Sequence, residues 1–598
     1  MQKRYTLTAI CLVILAVSCG KNFLNRTPKV SVTPVVLANA QGVDFLLIGA
    51  YSILGGYDGF IAGSTGYEAG GGNWIEGDLA GGNCYKGSDA SDQVILTPIE
   101  LHNQDPTNVI FQYKWQTLYE GISRANQTIR SATAATDLGA AAKLERIGEA
   151  RFLRGHFHFD AKQIWNNPVY IDEKQTSLYV VNTTDIWPLI EADFKYASAN
   201  LPLTQAAAIG RATKGAAQAY LGKVYLFEHK YAQAKVMFDS VINTGLYSLA
   251  PHFQDNFSIS SKNSSESVFS IQSSVNDGSD NGENGNFSNL LNYPYGPKSP
   301  FSCCGFECPS QDLVNAYQTD GGGLPLLDTY AQKNFKNDFG ITDSAGAANF
   351  KPDGASNIDP RLDWSVGRNG IPYYDYGIMP GYQWIRNQSI DGPYCAKKFV
   401  HNKAQIGTLS QVPIGNGWVD QVDAQNIPLI RYADVLLMDA ECNVELGNLT
   451  QAMSYVNMIR DRAAASPVYL TSADGTTTLT DPNGNPIPAA HYKVGNYGSF
   501  PNQNYARKAV RFERRLELAF EGHQFFDLVR YSYSGGINNG YAMTVLNAYM
   551  QASAKFGIKY YSGAGFKENQ DEYFPIPANE IQLESAQGHP VLKQNPGY

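Results

Sequence analysis

Leu221-Gly222-Lys-Val-Tyr225 is followed at a fixed offset by Ala234-Lys-Val-Met-Phe238. This is the pattern of a tetratricopeptide unit, in which small residues let two antiparallel helices cross closely. Working outward, Ala440 and Ala452 repeat the same offset, with Val456 where the aromatic would stand. Upstream, Ala142–Trp165 carries Leu144, Ile147, Ala150, Phe152, Leu153, Phe157 and Ala161 at helical spacing. Asp185–Ala197 continues the pattern and stops before Leu201-Pro202, and Lys508–Tyr531 reads as one long helix of alternating charge. The expected fold is mostly all-α: a tetratricopeptide-like scaffold with helix pairs near 142–245 and 430–462 and little β structure. Long stretches without helical period separate the pairs, at 56–110, 273–310, 318–430 and 468–505. Loops of that length are usually functional, so the scaffold is expected to present and the loops to bind.

Composition narrows the partners. The 598 residues hold 55 Asp plus Glu against 46 Lys plus Arg, a formal charge of −9, with no basic run. That balance excludes nucleic acid as an expected partner. Charged content is 17%, while 37 tyrosines and 56 glycines make a neutral, aromatic surface suited to polar uncharged ligands or other proteins. At the N-terminus, Lys3 and Arg4 precede a short apolar run, Ile10 to Val17, and then Ala16-Val17-Ser18-Cys19. The run is too short to span a bilayer. The small residues before Cys19 look like a lipobox, which implies cleavage after residue 18 and acylation of Cys19; an ordinary secretory signal is the alternative. Residues 1–18 are then the signal, 19–34 a lipid-anchored linker containing Pro28 and Pro34, and 35–598 a single domain. Six further cysteines remain: Cys84, Cys303, Cys304, Cys308, Cys395 and Cys442. No histidine sits beside them at zinc spacing, so disulfides, not a metal, are expected.

Motifs of catalysis are weak. Glu513 and Glu517 lie one helical turn apart and face the same way, so they cannot flank a scissile bond. They, with Glu149, Arg151, Arg154, Asp160, Arg514, Glu521 and Arg530, are expected to pair between helices. His156 and His158 fall on different helix faces and cannot share a metal. The stretch from Asp277 to Gly282 opens like a calcium loop, but Ser288 stands where a bidentate Glu is needed. No phosphate loop or nucleophile elbow is present. No cofactor and no catalytic residue are predicted.

Taken in order, many short motifs resemble the SusD/RagB family of outer-membrane nutrient-binding lipoproteins. They are Asn22-Phe-Leu-Asn25, Glu149-Ala-Arg-Phe-Leu-Arg-Gly-His-Phe-His-Phe-Asp160, Ile190-Glu-Ala-Asp193, Ala212-Thr-Lys-Gly-Ala216, Asp359-Pro-Arg-Leu-Asp-Trp364, Ile430-Arg-Tyr-Ala-Asp434, Glu513-Arg-Arg-Leu-Glu517 with Glu521-Gly522 and Asp527-Leu-Val-Arg530, Phe574-Pro-Ile-Pro577 and Gln594-Asn-Pro-Gly597. The resemblance implies a non-catalytic lid that binds oligo- or polysaccharide and delivers it to a SusC-type TonB-dependent transporter, anchored by lipid in the outer membrane and facing the cell exterior. Surface-displayed members often carry acidic residues after the lipidated cysteine, where this chain has Gly20-Lys21-Asn22. A peptide-binding lid of the same architecture, or a secreted glycosidase, are the competing readings.

The resemblance also places the ligand site in the early and mid-chain loops. Trp74 and Tyr85, flanked by glycines, and Tyr293 and Tyr295, around Pro294, are the expected sugar-stacking rings; Asp78, Lys86 and Asn292 are the expected hydroxyl partners. A second aromatic group, Trp364, Tyr373, Tyr374 and Tyr376, is expected to serve packing or partner contact. If both loops converge, Cys84 can pair with Cys308 and clamp them, leaving Cys303 and Cys304 to form a vicinal bridge; free thiols or a single other bridge are the alternatives.

Overall fold

The structure is a computed structural model that describes residues 36–56, 64–177, 179–205, 207–279, 283–411, 421–534 and 537–598. Helices of eight or more residues are numbered here: α1 (Ala40–Ser52), α2 (Val109–Ala134), α3 (Ala140–Trp165), α4 (Trp187–Asn200), α5 (Lys214–Phe227), α6 (Tyr231–Ile242), α7 (Tyr432–Glu445), α8 (Leu449–Ala464), α9 (Gln503–Leu518), α10 (Gln524–Ser532), α11 (Tyr541–Phe556) and α12 (Ala578–Ala586). Helices α2 to α9 form a continuous stack, each packed on its predecessor, with α6 passing directly to α7 across the long middle loops and α9 also lying on α7. The fold is therefore mostly helical, as the periodicity predicts. None of these helices is long and apolar enough to cross a membrane, among the described residues.

A recurring device joins consecutive helices: a glycine on one seats a phenylalanine ring of the next. A Cβ on Gly121 would lie 2.5 Å from the Phe157 ring, one on Gly155 3.0 Å from Phe194, and one on Gly222 2.5 Å from Phe238. At α7–α8 the small residue is Ala440 and the partner side is aliphatic, Val456, all fully buried. This explains why the second copy of the motif is weaker in sequence while the helix pair still forms.

The motif charges bind the stack together. Arg361 contacts Asp359 (2.7 Å), Glu513 (2.6 Å) and Glu517 (2.8 Å); Arg431 contacts Glu266 (2.7 Å), Glu517 (2.6 Å) and Glu521 (2.8 Å). Arg460 reaches Glu513, Arg462 reaches Glu266 and Glu517, and Lys398 reaches Glu521. All of these groups are buried. Burial alone would raise the Glu517 carboxyl, but Arg462, Arg431 and Arg361 hold it well below the ordinary range. Glu513 and Glu517 are thus committed to arginines and closed to any substrate. His156 bonds Tyr220 and His158 bonds the Arg154 carbonyl, both inside the core.

Lys508–Tyr531 is not one helix. It breaks between α9 and α10, where Phe520 (φ 67°) and Gly522 (φ 75°) turn left-handed. The buried Asp78 carboxylate accepts the Phe520 and Gly522 amides (3.1 and 2.6 Å), and Lys398 takes the Ala519 carbonyl (2.7 Å). Side chains from distant segments satisfy the helix ends, so the break is invisible to local periodicity.

Strands are few and short. Strand β1 (Cys84–Gly87) pairs antiparallel with β3 (Phe306–Pro309), and β2 (Ser267–Ile271) with β4 (Ile427–Arg431). The first pair fastens the early loop to the mid-chain loop.

Candidate functional site

The two loops expected to carry the ligand site do converge, but most of the expected residues serve the convergence itself. Trp74 begins a π-helical turn, Trp74–Leu79, and is buried in the main core. The glycines around it allow backbone to touch backbone: a Cβ on Gly77 would lie 2.1 Å from the Gly522 carbonyl oxygen, and one on Gly522 2.1 Å from that of Gly72. Glycine here means close approach, not an uncovered ring. Asp78 is the acceptor that latches this segment to the α9–α10 break, with Asn83 donating as well (2.7 Å). Burial lifts its carboxyl to about 6 against the hydrogen bonds from Asn83, Gly522 and Phe520.

Tyr85 is also inside. Its ring stacks on Tyr549 (6.5 Å) and meets Tyr561 edge-on (5.9 Å). The neighbouring Glu100 carboxylate accepts the Lys86 amide (3.0 Å) and the hydroxyls of Tyr560 (2.8 Å) and Tyr561 (2.7 Å). Burial pushes Glu100 up to about 7, opposed by those donors. Lys86 turns its ammonium onto the carbonyls of Asp89 (2.7 Å) and Asp92 (2.5 Å). Asn292 donates to Glu307 (2.7 Å), and Tyr293 donates to Asp423 (2.8 Å) within a small aromatic cluster with Phe301, Tyr373 and Trp384. Trp74, Asp78, Tyr85, Lys86, Asn292 and Tyr293 are therefore all buried, and the expectation that they meet ligand directly is corrected. Loop composition marks them as special; only the tertiary fold shows that they are enclosed, with Asp78, Lys86 and Tyr293 engaged by internal partners.

Tyr295 is the exception. It is half-buried, and the Arg386 guanidinium stands over its ring at 5.3 Å. Arg386 in turn bridges to Asp89 (2.7 Å) and Asp92 (2.6 Å). The 89–92 turn that offers these carboxylates is the one propped by Lys86, and Ser91 donates to Asp89 from amide and hydroxyl (2.8 and 2.7 Å). Those bonds from Ser91 lead in lowering the Asp89 carboxyl. Behind Tyr295 lies Gly305, whose absent Cβ would sit 3.3 Å from that of Tyr295. Gly305 accepts the Ser88 amide (2.6 Å), joining both loops at one point. The next residues back are Cys303 and Cys304, joined as a disulfide, with Gln421 donating to the Cys303 carbonyl.

The Cys84–Cys308 clamp is not formed; both are buried free thiols. In the β1–β3 register Cys308 opposes Tyr85, and Cys84 opposes Pro309. Residues opposite one another share a face, and successive residues alternate, so the two thiols point to opposite sides of the ribbon. Backbone pairing does the work expected of the clamp.

What remains at the surface is a rim of one aromatic ring, a stacked guanidinium and two carboxylates, where loops 88–92, 293–305 and 384–388 meet. A ring face suits the C–H face of a sugar, and fixed donors and acceptors suit its hydroxyls. Arg386, Asp89 and Asp92 were not indicated by sequence: nearly 300 residues separate the arginine from its partners, and no spacing rule connects them. The calcium-like stretch is, at Asp277, a polar turn receiving Ser274, Ser279 and Asn284; residues 280–282 and the lipobox lie outside the described residues.

The profile of the SusD family matches residues 265–598, and a profile described as starch-binding associating with outer membrane matches residues 69–226. SusD-like protein P38 of Formosa agariphila is 24% identical over 449 residues, covering 72% of this chain and 74% of that protein. A SusD superfamily protein from Bacteroides vulgatus superposes with a TM-score of 0.64 at 20% identity, covering 94% of this chain and all of the other. Surface glycan-binding protein A from Bacteroides thetaiotaomicron, solved in complex with laminarihexaose, superposes with a TM-score of 0.60 at 16% identity, over 93% of this chain and 99% of its own.

Proposed function

Since this chain belongs to the SusD family, we propose that it is a glycan-binding lipoprotein of the outer membrane, with Tyr295 as its stacking ring. The observation that carries the reading is the half-exposed Tyr295 under Arg386, flanked by Asp89 and Asp92, on a scaffold whose structural neighbour is described with a bound laminarihexaose. Burying about 80 Å² of ring on a pyranose contributes roughly 2 kcal/mol before entropic losses. That supports weak, releasable binding, as a protein that hands on its cargo requires.

The protein is further read as a non-catalytic lid: it captures the glycan at the cell exterior and passes it to a SusC-type TonB-dependent transporter. Support comes from the family and from the enclosure of Glu513 and Glu517 by arginines. Anchoring is assigned to acylated Cys19.

Affinity gel electrophoresis against laminarin and a panel of neutral polysaccharides, beside a reducing-sugar assay, tests the reading. Retardation by at least one polymer without sugar release is expected, and Tyr295→Ala should weaken it about tenfold, near 1.4 kcal/mol. Retardation by none of the glycans, with capture of peptides instead, would point to the peptide-binding lid; sugar release would point to a hydrolase.

A further inference from the structure

A cavity whose lining does not include Tyr295 lies elsewhere on the molecule. It has a volume of about 300 Å³ and opens between the 364–374 segment and the hairpin that follows α8. Trp364 and Tyr374 form one wall, half-buried, with ring centroids 6.4 Å apart and planes tilted by 38°. Tyr469, 38% exposed, lines it from the hairpin.

The walls are held in place by edge hydrogen bonds and by the Lys397 ammonium, which stands over the Trp364 and Tyr374 rings at 5.4 and 5.2 Å. Trp364 Nε1 donates to the Ser466 carbonyl (2.8 Å) and the Tyr374 hydroxyl to the Lys397 carbonyl (2.8 Å). The Lys397 ammonium is buried behind the rings and committed to the carbonyls of Asp363 (2.6 Å) and Pro372 (2.8 Å). It therefore ties together the two segments that carry the wall. The hairpin is clamped against the same segment, because a Cβ on Gly377 would lie 2.3 Å from the Ala473 carbonyl oxygen. The cavity is preformed.

Two polar atoms in its lining have no partner among the described residues: Gln254 Oε1 and Thr471 Oγ1. Buried acceptors and donors are normally satisfied, so such orphans mark a place where water or ligand completes them. No carboxylate lines the cavity; its Lys397 ammonium is already engaged, and the His252 imidazole bonds the Ala465 carbonyl (2.9 Å). Aromatic walls, neutral hydrogen-bonding groups, no carboxylate and no free ammonium select an uncharged polyhydroxylated ligand over an anion or a peptide terminus.

We propose that this cavity is a second saccharide subsite, taking one or two sugar units of a neutral glycan, with Trp364, Tyr374 and Tyr469 as its stacking surfaces and Gln254 and Thr471 as hydroxyl partners. The proposal rests on the glycan-binding reading of Tyr295, and gives the molecule two points of attachment to one polymer. Two linked contacts raise apparent affinity for a long chain above that for a short one.

The test is isothermal titration with laminarihexaose, maltohexaose and cellohexaose, and affinity electrophoresis with their polymers. It uses the wild-type protein, Tyr295→Ala and the double variant Gln254→Leu/Tyr469→Ala. The double variant alters one hairpin side chain and one loop amide, and near-ultraviolet circular dichroism checks that the fold is kept. Two sites per molecule are expected in the wild type and one in each variant, with polymer retardation falling at least fivefold in the double variant. One site in the wild type, abolished by Tyr295→Ala and unchanged in the double variant, overturns the second subsite and leaves the first intact. Binding at the Tyr469 cavity by peptides but by no sugar also overturns it. If none of the glycans binds the wild type, both readings fall together.

Discussion

Trp74 and Tyr295 sit in loops of similar composition, yet only the second reaches solvent. Glycine-rich flanks read as an open presentation of Trp74; the glycines on either side instead permit close backbone approach, since a Cβ on Gly71 would lie 2.3 Å from the Leu54 carbonyl oxygen and one on Gly77 2.1 Å from that of Gly522. A substitution distinguishes the roles. Trp74→Ala empties a fully enclosed site and is expected to cost about 3–5 kcal/mol of stability, measured by denaturant unfolding. Tyr295→Ala should leave the unfolding midpoint nearly unchanged. Glu100 supplies a pH signature. Its carboxyl is raised to about 7 by burial, so it retains a proton that the unfolded chain releases near 4.5. The stabilisation linked to that proton is complete below about pH 4.5 and is lost as pH rises to about 7, on the order of 3 kcal/mol. Glu100→Gln should flatten the stability profile in that window relative to wild type; parallel curves from pH 4.5 to 7.5 would refute the assignment.

Among the elements, the helix pairs were the most legible part of the chain. Gly222 beneath Phe238 is a local pattern, and the motif reports it directly. The break between α9 and α10 was hidden because its cause, Asp78, lies more than 400 residues upstream. The arginine network was legible in kind, since charges at helical spacings imply pairing, but not in its partners. Arg361 and Arg431 lie outside the helix whose carboxylates they meet. Glu517 accepts from Arg361, Arg431 and Arg462 in a fully buried setting. Glu517→Gln leaves three guanidinium groups short of a counter-charge, and an expected loss of about 3–5 kcal/mol follows. Thermal unfolding is the measurement, and a shift below about 1 °C would show that the network is dispensable.

For the whole molecule, family motifs spread from Glu149 to Gly597 made the architecture readable, because their charged residues, such as Arg361, Arg431, Glu513 and Glu517, are junctions of the scaffold. The same property made the site hard to read: junction residues repeat, whereas Arg386 with Asp89 and Asp92 is assembled from loops with no shared pattern. The proposed lipid anchor is tested on the intact chain. Cys19→Ala is expected to move the protein from the outer-membrane to the soluble fraction on cell fractionation, in cells lacking the partner transporter; retention in the membrane would refute an anchor at that thiol.

The chain closes on itself in a way that bears on how it can be divided. Strand β1 is completed by β3, Asp78 holds the turn before α10, and near the C-terminus Asn595 donates to the carbonyls of Trp165 (2.7 Å) and Phe574 (2.8 Å) while Gln104 donates to Tyr598 (2.7 Å). Early and late segments thus supply each other's missing hydrogen bonds and core surface. A nick in the exposed 263–265 turn would consequently yield two halves that stay associated, and separately expressed fragments ending and beginning there should reconstitute by complementation while neither folds alone.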